Sequence, residues 1–234
     1  MRLEEARRDQ FRRRAKEEGY RSRAAYKLIQ MNEKYRIIRA GSKVVDIGCA
    51  PGGWLEVASN LVGERGLVVG VDIASVKPIN GKKNVRIIRE DVSSPQFPSR
   101  LADAMGKGKA DCVLADLSPQ LSGIWDMDHF KQIELCHKVI DLLPEALVMG
   151  GSNVLKAFHG GELEELIKRL RSSFSRVEIS KPEASRNESS EVYLISMDFS
   201  GQVASRSLEA REEVRQSELP SDSVEYDSQS DRLI

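Results

Sequence analysis

Hydrophobic positions along the chain alternate between two kinds of spacing. Short apolar runs rich in valine and isoleucine have the length of buried strands, whereas the stretches between them space their apolar residues as helices do. The runs with strand character span residues 43–47, 67–73, 85–88, 111–115 and 153–158. The stretches with helical character span residues 24–35, 53–61, 98–105, 130–147 and 162–174.

Strands that alternate with helices predict a mostly parallel sheet with helices on both faces, which is a Rossmann-like α/β fold. Two further strands, residues 177–180 and 192–199, follow with only a polar loop between them. Because a loop without a crossover helix joins antiparallel neighbours, we expect a seven-stranded sheet whose last strand is antiparallel.

Charge is distributed unevenly along a chain whose net charge is zero. The chain has 234 residues, 40% of them hydrophobic, which suits one α/β domain with terminal tails. Residues 1–40 hold 13 lysines and arginines against 6 acidic residues, and residues 201–234 hold 4 arginines against 8 acidic residues. We therefore predict a basic arm (1–20), a folded domain (21–200) and an acidic tail (201–234) whose few apolar residues indicate disorder.

Cysteine usage and hydropathy narrow the class of protein. The three cysteines lack the C-x-x-C spacing of metal or redox sites, and the histidines have no metal-ligand spacing with them, so we expect no bound metal. No apolar run approaches the roughly 18 residues of a membrane span. We expect a soluble cytoplasmic protein without a membrane partner, and a monomer.

The first strand runs into a glycine-rich turn, Gly48-Cys49-Ala50-Pro51-Gly52-Gly53, which opens a helix at Trp54. Glycines allow a ligand to approach the backbone, and the helix start presents free N–H groups, so we expect a nucleotide-like ligand. Asp72 ends the second strand, where acids bind a ribose diol, and Asp91 follows the third, where an acid suits an adenine amino group. The spacing is not that of a dinucleotide fold, but S-adenosylmethionine has no phosphate and needs no phosphate cradle.

Four polar residues lie at the ends of other predicted elements. Asp116 follows a strand, Lys156 lies within an apolar strand end, Glu191 opens the last strand, and Lys27 lies in the first helix of the domain. A buried ammonium costs several kcal/mol unless it is paired or neutral, so Lys156 indicates either chemistry or an ion pair. Two buried lysine–carboxylate pairs with a purely structural role are the alternative interpretation.

The segments R-S-R-A-A-Y-K-L, V-V-D-I-G-C-A-P-G-G-W, A-D-L-S-P, L-K-A-F and S-R-N-E-S-S-E-V-Y-L resemble the FtsJ family of RNA ribose 2′-O-methyltransferases. The resemblance runs in order over residues 21–199 and makes residues 21–200 the methyltransferase domain. It implies S-adenosyl-L-methionine as cofactor and a catalytic tetrad of Lys27, Asp116, Lys156 and Glu191. The predicted cofactor-binding residues are Asp46, Gly48, Pro51, Gly52, Gly53, Trp54, Asp72, Ile73, Asp91, Val92 and Asp116.

The expected reaction is an in-line displacement in which a ribose 2′-oxygen attacks the methyl carbon of the sulfonium. We expect Lys156 to accept or orient the hydroxyl proton. Asp116 should hold the Lys156 amine and approach the methionine end of the cofactor, and Glu191 should orient Lys27 or the substrate.

Large-subunit ribosomal RNA, modified at a uridine, is the substrate that the resemblance implies. The alternatives are the anticodon loop of transfer RNA, or a non-catalytic RNA-binding assembly factor with the same fold. A small-molecule methyltransferase would not need the basic arm. We expect that arm, with Phe11, Tyr20 and Tyr26 interleaved, to contact RNA, although a solvated charged helix is the alternative. Three further basic residues, Arg176, Lys181 and Arg186, could extend this RNA-binding surface at the rim of the site. A loop over the site, or a simple surface turn, is expected at Ser122, Gly123 and Trp125.

Overall fold

A computed structural model describes residues 2–186 and 189–203, with side chains described from residue 10 onward. Its helices are α1 (Arg2–Glu17), α2 (Ala25–Tyr35), α3 (Gly53–Val62), α4 (Phe97–Met105), α5 (Trp125–Ala146) and α6 (Leu163–Arg171). Its strands are β1 (Lys43–Ile47), β2 (Leu67–Asp72), β3 (Val85–Arg89), β4 (Ala110–Ala115), β5 (Leu147–Phe158), β6 (Phe174–Ser180) and β7 (Glu191–Phe199). The predicted tail lies almost wholly outside the described residues, and the division into arm, domain and tail stays a prediction.

The seven strands form one sheet in the order β3-β2-β1-β4-β5-β7-β6. β1 to β5 pair in parallel, and β7 is inserted between β5 and β6 and runs antiparallel to both. The predicted parallel sheet with a reversed last strand is therefore confirmed. The register places Lys156 of β5 opposite Tyr193 of β7, and Phe158 opposite Glu191.

Apolar residues of the central strands are buried on both faces, which explains why these strands appear in the sequence as continuous apolar runs. On one face, α4, α5 and α6 pack against residues such as Val45, Val113 and Leu155. On the other face, α2 and α3 pack against Val44, Leu114 and neighbouring residues. Helices on both faces are thus confirmed. No helix of the described part of the chain is long and apolar enough to cross a membrane.

Two element boundaries differ from the sequence prediction by five residues or more. β5 begins at Leu147 instead of residue 153. The sequence prediction began this strand too late because Gly150 and Gly151 interrupt its apolar pattern and resemble a turn. Gly150 has φ +74°, and the register between β5 and β4 shifts nearby. α5 begins at Trp125 instead of residue 130. The prediction that Trp125 belongs to a loop is therefore wrong. Ser122 and Gly123 do precede the helix, where their backbone N–H groups are held by Asp128 of its first turn.

The charged N-terminal segment forms α1, although its sequence has few apolar positions. Pairs four residues apart support the helix: Arg13 Nε lies 3.6 Å from Glu17, and Arg14 Nη2 lies 3.2 Å from Glu18. Phe11 anchors the helix to the domain because its ring lies 5.4 Å from that of Tyr26 on α2. The arm is therefore a charged helix, which was the alternative interpretation of its sequence. Contact between the arm and RNA stays a prediction.

Candidate active site

Two lysine–carboxylate pairs meet at the carboxyl ends of the parallel strands. Lys156 Nζ lies 3.3 Å from Asp116 Oδ1 and donates a hydrogen bond of 3.0 Å to the Asp116 carbonyl. Lys27 Nζ lies 3.0 Å from Glu191 Oε2. The structure therefore brings together all four members of the predicted tetrad, from α2, the end of β4, β5 and β7.

The phenol of Tyr193 joins the two pairs. Lys27 Nζ donates to Tyr193 Oη over 2.9 Å, and Tyr193 Oη donates to Asp116 Oδ1 over 2.9 Å. The sequence interpretation missed this residue. A signal was present, because Tyr193 follows Glu191 by two positions and strand side chains two apart lie on the same face. What the sequence lacked was the register that sets Tyr193 beside Lys156.

Burial and nearby charges determine whether the Tyr193 phenol and the Glu191 carboxyl group carry a proton. Burial raises the pKa of Tyr193 well above its ordinary value, and the nearby carboxylates of Asp116 and Glu191 raise it further, so the phenol remains a hydrogen-bond donor. Burial also tends to raise the pKa of Glu191, but the Lys27 ammonium and its hydrogen bond outweigh this and lower it. The Glu191 side chain is therefore a carboxylate, and Lys27 is oriented between two oxygen acceptors.

A cavity of about 510 Å³ opens beside the tetrad and shares Asp116 with it. Its volume is in the range of small-molecule sites. Acidic groups at successive strand ends and apolar groups between them form the wall. Six predicted cofactor residues line it: Gly48, Asp72, Ile73, Asp91, Val92 and Asp116.

The carboxylate of Asp72 is held rigidly in this wall. Its Oδ2 accepts from the backbone N–H of Ala50 and its Oδ1 from that of Ala74, each over 2.8 Å. Each oxygen keeps a further lone pair, so the pair of oxygens fits the two hydroxyls of a ribose. Gly48 has φ +80°, and a Cβ there would come within 2.9 Å of Leu117 Cδ2. The glycine thus lets the turn after β1 pack closely against Leu117 in this wall.

The other five predicted cofactor residues, Asp46, Pro51, Gly52, Gly53 and Trp54, are not part of the cavity wall. Trp54 is only 3% exposed, because its Nε1 donates to the Ala24 carbonyl over 2.8 Å and its ring packs 5.8 Å from that of Tyr193. Gly52 and Gly53 are covered by Arg21 and Ser22. The side chains of these residues shape the turn from behind, and cofactor contact by the five residues stays a prediction.

Asp46 is fully buried in β1, and neither carboxylate oxygen has a hydrogen-bond partner. Burial raises its pKa well above the ordinary value, and the carboxylates of Asp116 and Asp72 raise it further. Asp46 therefore carries its proton far more readily than an exposed aspartate, and it lies behind the cavity instead of facing it.

The segment before α2 is attached to the glycine-rich turn by Arg21. Its guanidinium donates to the carbonyls of Pro51, Lys77 and Pro78, and its backbone N–H donates to Glu56 over 2.9 Å. An ion pair of 3.2 Å joins the Arg21 and Glu56 side chains. The start of the basic region and the turn beside the cavity therefore form one connected structure.

A basic pocket of about 630 Å³ lies where α1 meets this segment. Arginine and lysine side chains dominate its wall, which is formed by Arg12, Ala15, Lys16, Tyr20, Arg21, Ser22, Arg23 and Arg186. Of the three rim candidates near the last strand, only Arg186 belongs to it. Arg176 pairs with Glu178, and Lys181 donates to the Ser189 carbonyl.

Two of the three histidines contact groups outside the site. His129 pairs with Glu162, and His137 Nδ1 lies 2.9 Å from Arg169 Nη1. Within residues 2–186 and 189–203, no three side chains of the metal-ligating types come together. The expectation that the reaction uses no metal stays a prediction.

The sequence profile of the FtsJ-like methyltransferase family matches residues 20–199. The chain belongs to this family. The chain is 44% identical over 197 residues to "Ribosomal RNA large subunit methyltransferase E" of Methanothermobacter thermautotrophicus, covering 84% of this chain and 92% of that protein. It is 42% identical over 201 residues to the protein of the same name from Cenarchaeum symbiosum, covering 86% of this chain and all of that one.

Solved structures agree with this family. A crystal structure of a Plasmodium falciparum protein, provisionally described as a ribosomal RNA methyltransferase, superposes with a TM-score of 0.69 at 27% identity, over 78% of this chain and all of that one. Aeropyrum pernix fibrillarin, crystallised with natively bound S-adenosyl-L-methionine, shares the fold with a TM-score of 0.54 at 18% identity, over 76% and 75% of the two chains. The family, the fold and S-adenosyl-L-methionine as the cofactor of this FtsJ-like methyltransferase are confirmed.

Proposed function

We propose that this FtsJ-like methyltransferase transfers the methyl group of S-adenosyl-L-methionine to a ribose 2′-hydroxyl, at a uridine, in large-subunit ribosomal RNA. One observation carries the proposal: Asp116 lines the cavity and also holds the Lys156 amine. The same residue would thus adjoin both the cofactor and the group that handles the hydroxyl proton. The names of the two relatives described above support ribosomal RNA as the substrate class.

Lys156 has the geometry to accept or orient the hydroxyl proton. Two of the three substituent positions on its nitrogen point at Asp116, one at the carboxylate and one at the carbonyl. The third position, a proton in the ammonium and a lone pair in the neutral amine, is left for the substrate hydroxyl. When bound, S-adenosyl-L-methionine supplies an electrophilic methyl carbon. Asp116 fixes the amine, so the 2′-oxygen is positioned before the reaction begins.

Lys27 and Glu191 would orient the ribose. The Lys27 ammonium is held by the Glu191 carboxylate and the Tyr193 phenol, so its direction is set on two sides. A cation whose direction is fixed in this way can donate to a ribose oxygen and hold the sugar beside Lys156.

The cofactor would lie in the 510 Å³ cavity, with Asp72 at the ribose hydroxyls and Asp91 at the adenine amino group. Asp72 presents two fixed oxygens, and the apolar side chains of Ile73 and Val92 lie in the same wall. Residues 21–200 would be the catalytic domain. The basic pocket formed with residues 1–20 would bind RNA phosphates without reading sequence. We further propose a cytoplasmic monomer, which light scattering at 26.2 kDa per chain would verify.

The decisive experiment maps 2′-O-methyl groups in total RNA from cells with and without the protein. Loss at one uridine of large-subunit ribosomal RNA supports the proposal, and loss in a transfer RNA anticodon loop replaces that substrate. In parallel, purified Lys156→Met, which keeps the length of the side chain, should lose methyl transfer while binding S-adenosyl-L-methionine as the wild type does. Lys34→Met, at the far end of α2, is the matched control. Full methyl transfer by Lys156→Met would refute the role of Lys156, and unchanged methylation in the cells would refute the function.

A further inference from the structure

A cluster of exposed apolar side chains lies at the carboxyl edge of the sheet, between the end of β4 and the start of α5. Leu121, Ile124, Trp125 and Met127 are 44–61% exposed, although all four are large and hydrophobic. The other exposed large hydrophobic residues of the described chain, Ile73, Met149 and Ile179, are separated in sequence. Scattered exposed apolar residues are normal, but a cluster in one segment indicates a contact surface.

Trp125 is the rigid member of this cluster. Its ring stacks on that of His129 at 5.7 Å and 19°, and on that of Phe158 at 6.1 Å and 25°. His129 is itself fixed, because it pairs with Glu162 and because Gly160 packs against its ring so closely that a Cβ there would lie 2.4 Å away. An aromatic ring that is held in place and yet 49% exposed is ready to stack with a ligand without loss of side-chain freedom.

The position of Trp125 relative to the tetrad follows from the strand register. Phe158, against which Trp125 stacks, lies opposite Glu191 and two residues beyond Lys156 on the same face of β5. One side chain therefore separates the indole from the Lys27–Glu191 pair. Arg23 lines the basic pocket, and its charge also acts on Glu191. The tetrad thus has both a basic pocket and an aromatic surface as neighbours.

We propose that Trp125, flanked by Leu121 and Ile124, is a stacking platform for a nucleobase of the RNA substrate at or next to the methylated nucleotide. The inference rests on the proposed function, because only an RNA acceptor brings bases to this edge. A ribose carries its base on the carbon adjacent to the 2′-position, so a ribose held at Lys156 has its base or a neighbouring base within reach. Stacking on an aromatic ring accepts any base and complements phosphate contacts at the basic pocket.

The size of the cluster favours a base over a protein partner. A stable protein interface buries roughly 800 Å² on each partner, and four half-exposed side chains fall well short of this. A single base, in contrast, needs little more than one indole. The platform would therefore contribute affinity and orientation for RNA but would not recruit another protein.

Tryptophan fluorescence tests the platform directly, because the chain has two tryptophans, one exposed and one 3% exposed. The probes are decauridylate and an abasic ribose-phosphate decamer with the same charge. We expect decauridylate to quench the wild-type emission and the abasic decamer to quench it far less. Trp125→Phe, which reports Trp54 alone, should lose the quenching. Equal quenching by both probes, or quenching that persists in Trp125→Phe, would overturn the platform.

Kinetics provide a second test that separates this inference from the proposed function. Trp125→Ala should raise the KM for large-subunit RNA by about tenfold or more. It should leave the affinity for S-adenosyl-L-methionine unchanged and kcat within about threefold, and Trp125→Phe should restore most of the loss. Met149→Ala, another exposed hydrophobic, is the control. If the wild type methylates RNA and Trp125→Ala has the same KM, the platform is overturned while the proposed function stands. If the wild type transfers no methyl group, the proposed function fails, while the quenching experiment still decides whether bases stack on Trp125.

Discussion

Tyr193 Oη donates to Asp116 Oδ1 over 2.9 Å, and it thereby connects the cofactor cavity to a second, buried ammonium, that of Lys27. The phenol is the only group of the described site that contacts both lysine–carboxylate pairs. A change at Asp116 is therefore transmitted to Lys27 through one hydrogen-bonded hydroxyl. This arrangement makes Tyr193 a positioning residue for the two pairs.

Tyr193→Phe removes the connecting hydroxyl and keeps the ring that packs against Trp54. Lys27 and Asp116 each lose a buried partner, at a cost on the order of 1–3 kcal/mol. We expect kcat to fall by about 5- to 150-fold, with the affinity for S-adenosyl-L-methionine little changed. Single-turnover methyl incorporation measures the effect. Tyr35→Phe is the control, because Tyr35 is buried at the end of α2, outside the site. Equal kcat values for the wild type and Tyr193→Phe would show that the link has no role in orientation.

The Lys27–Glu191 pair should stabilise the fold at neutral pH and lose this contribution in acid. The folded-state pKa of Glu191 is lowered from 4.5, so the folded protein releases this proton more readily than the unfolded chain does. The stabilisation is fully present above pH 4.5 and is lost as pH falls through the lower folded value. Chemical unfolding of the wild type and of Glu191→Gln over this acid range measures it. The difference between their free energies of unfolding should shrink as pH falls, and a constant difference would contradict the pairing.

Asp46 should produce the opposite dependence. Its folded-state pKa is raised, mainly by burial, so between 3.8 and the folded value the native state holds a proton that the unfolded chain has lost. Stability must then decrease as pH rises through this window, by at most about 1.4 kcal/mol per pH unit. Asp46→Asn carries no such proton and should lack the slope. Unfolding free energies of the two proteins between pH 4 and neutrality provide the comparison, and parallel curves would mean that Asp46 is solvated or paired.

Asp72 should be essential for cofactor affinity, because its two oxygens are fixed by backbone N–H groups and face the cavity. We expect Asp72→Ala to weaken S-adenosyl-L-methionine binding by about tenfold or more, since a carboxylate hydrogen bond contributes about 1.5–3 kcal/mol. Titration calorimetry measures the dissociation constant. Asp103→Ala, on the exposed face of α4, is the control. If Asp72→Ala binds S-adenosyl-L-methionine with wild-type affinity, then the cofactor does not contact this wall through Asp72.

Several features of this fold and site follow from local sequence. The buried strands are continuous apolar runs, and parallel strands necessarily bring their carboxyl ends to one edge, so Asp72, Asp91 and Asp116 were expected together. The tetrad required the family resemblance as well, because nothing local specifies that α2 places Lys27 beside β7. Tyr193 was missed because its role depends on strand register. The burial of Trp54 was not foreseen because the segment from Arg21 to Ala24, which covers its ring, is distant in sequence. Properties that depend on non-local packing were the ones that the pattern did not reveal.

Gly160 and Gly161 provide a neighbouring pair that tests whether the rigidity of Trp125 matters. A Cβ at Gly160 would come within 2.4 Å of the His129 ring, so Gly160→Ala must displace His129, on which Trp125 stacks. A Cβ at Gly161 meets nothing within 4 Å. We expect Gly160→Ala to raise the KM for RNA toward that of Trp125→Ala, with cofactor affinity intact, and Gly161→Ala to behave as the wild type. Steady-state methyl incorporation at varied RNA concentration measures both. If the two alanine variants have the same KM, then a fixed indole is not required, and exposure of Trp125 alone accounts for any binding of bases.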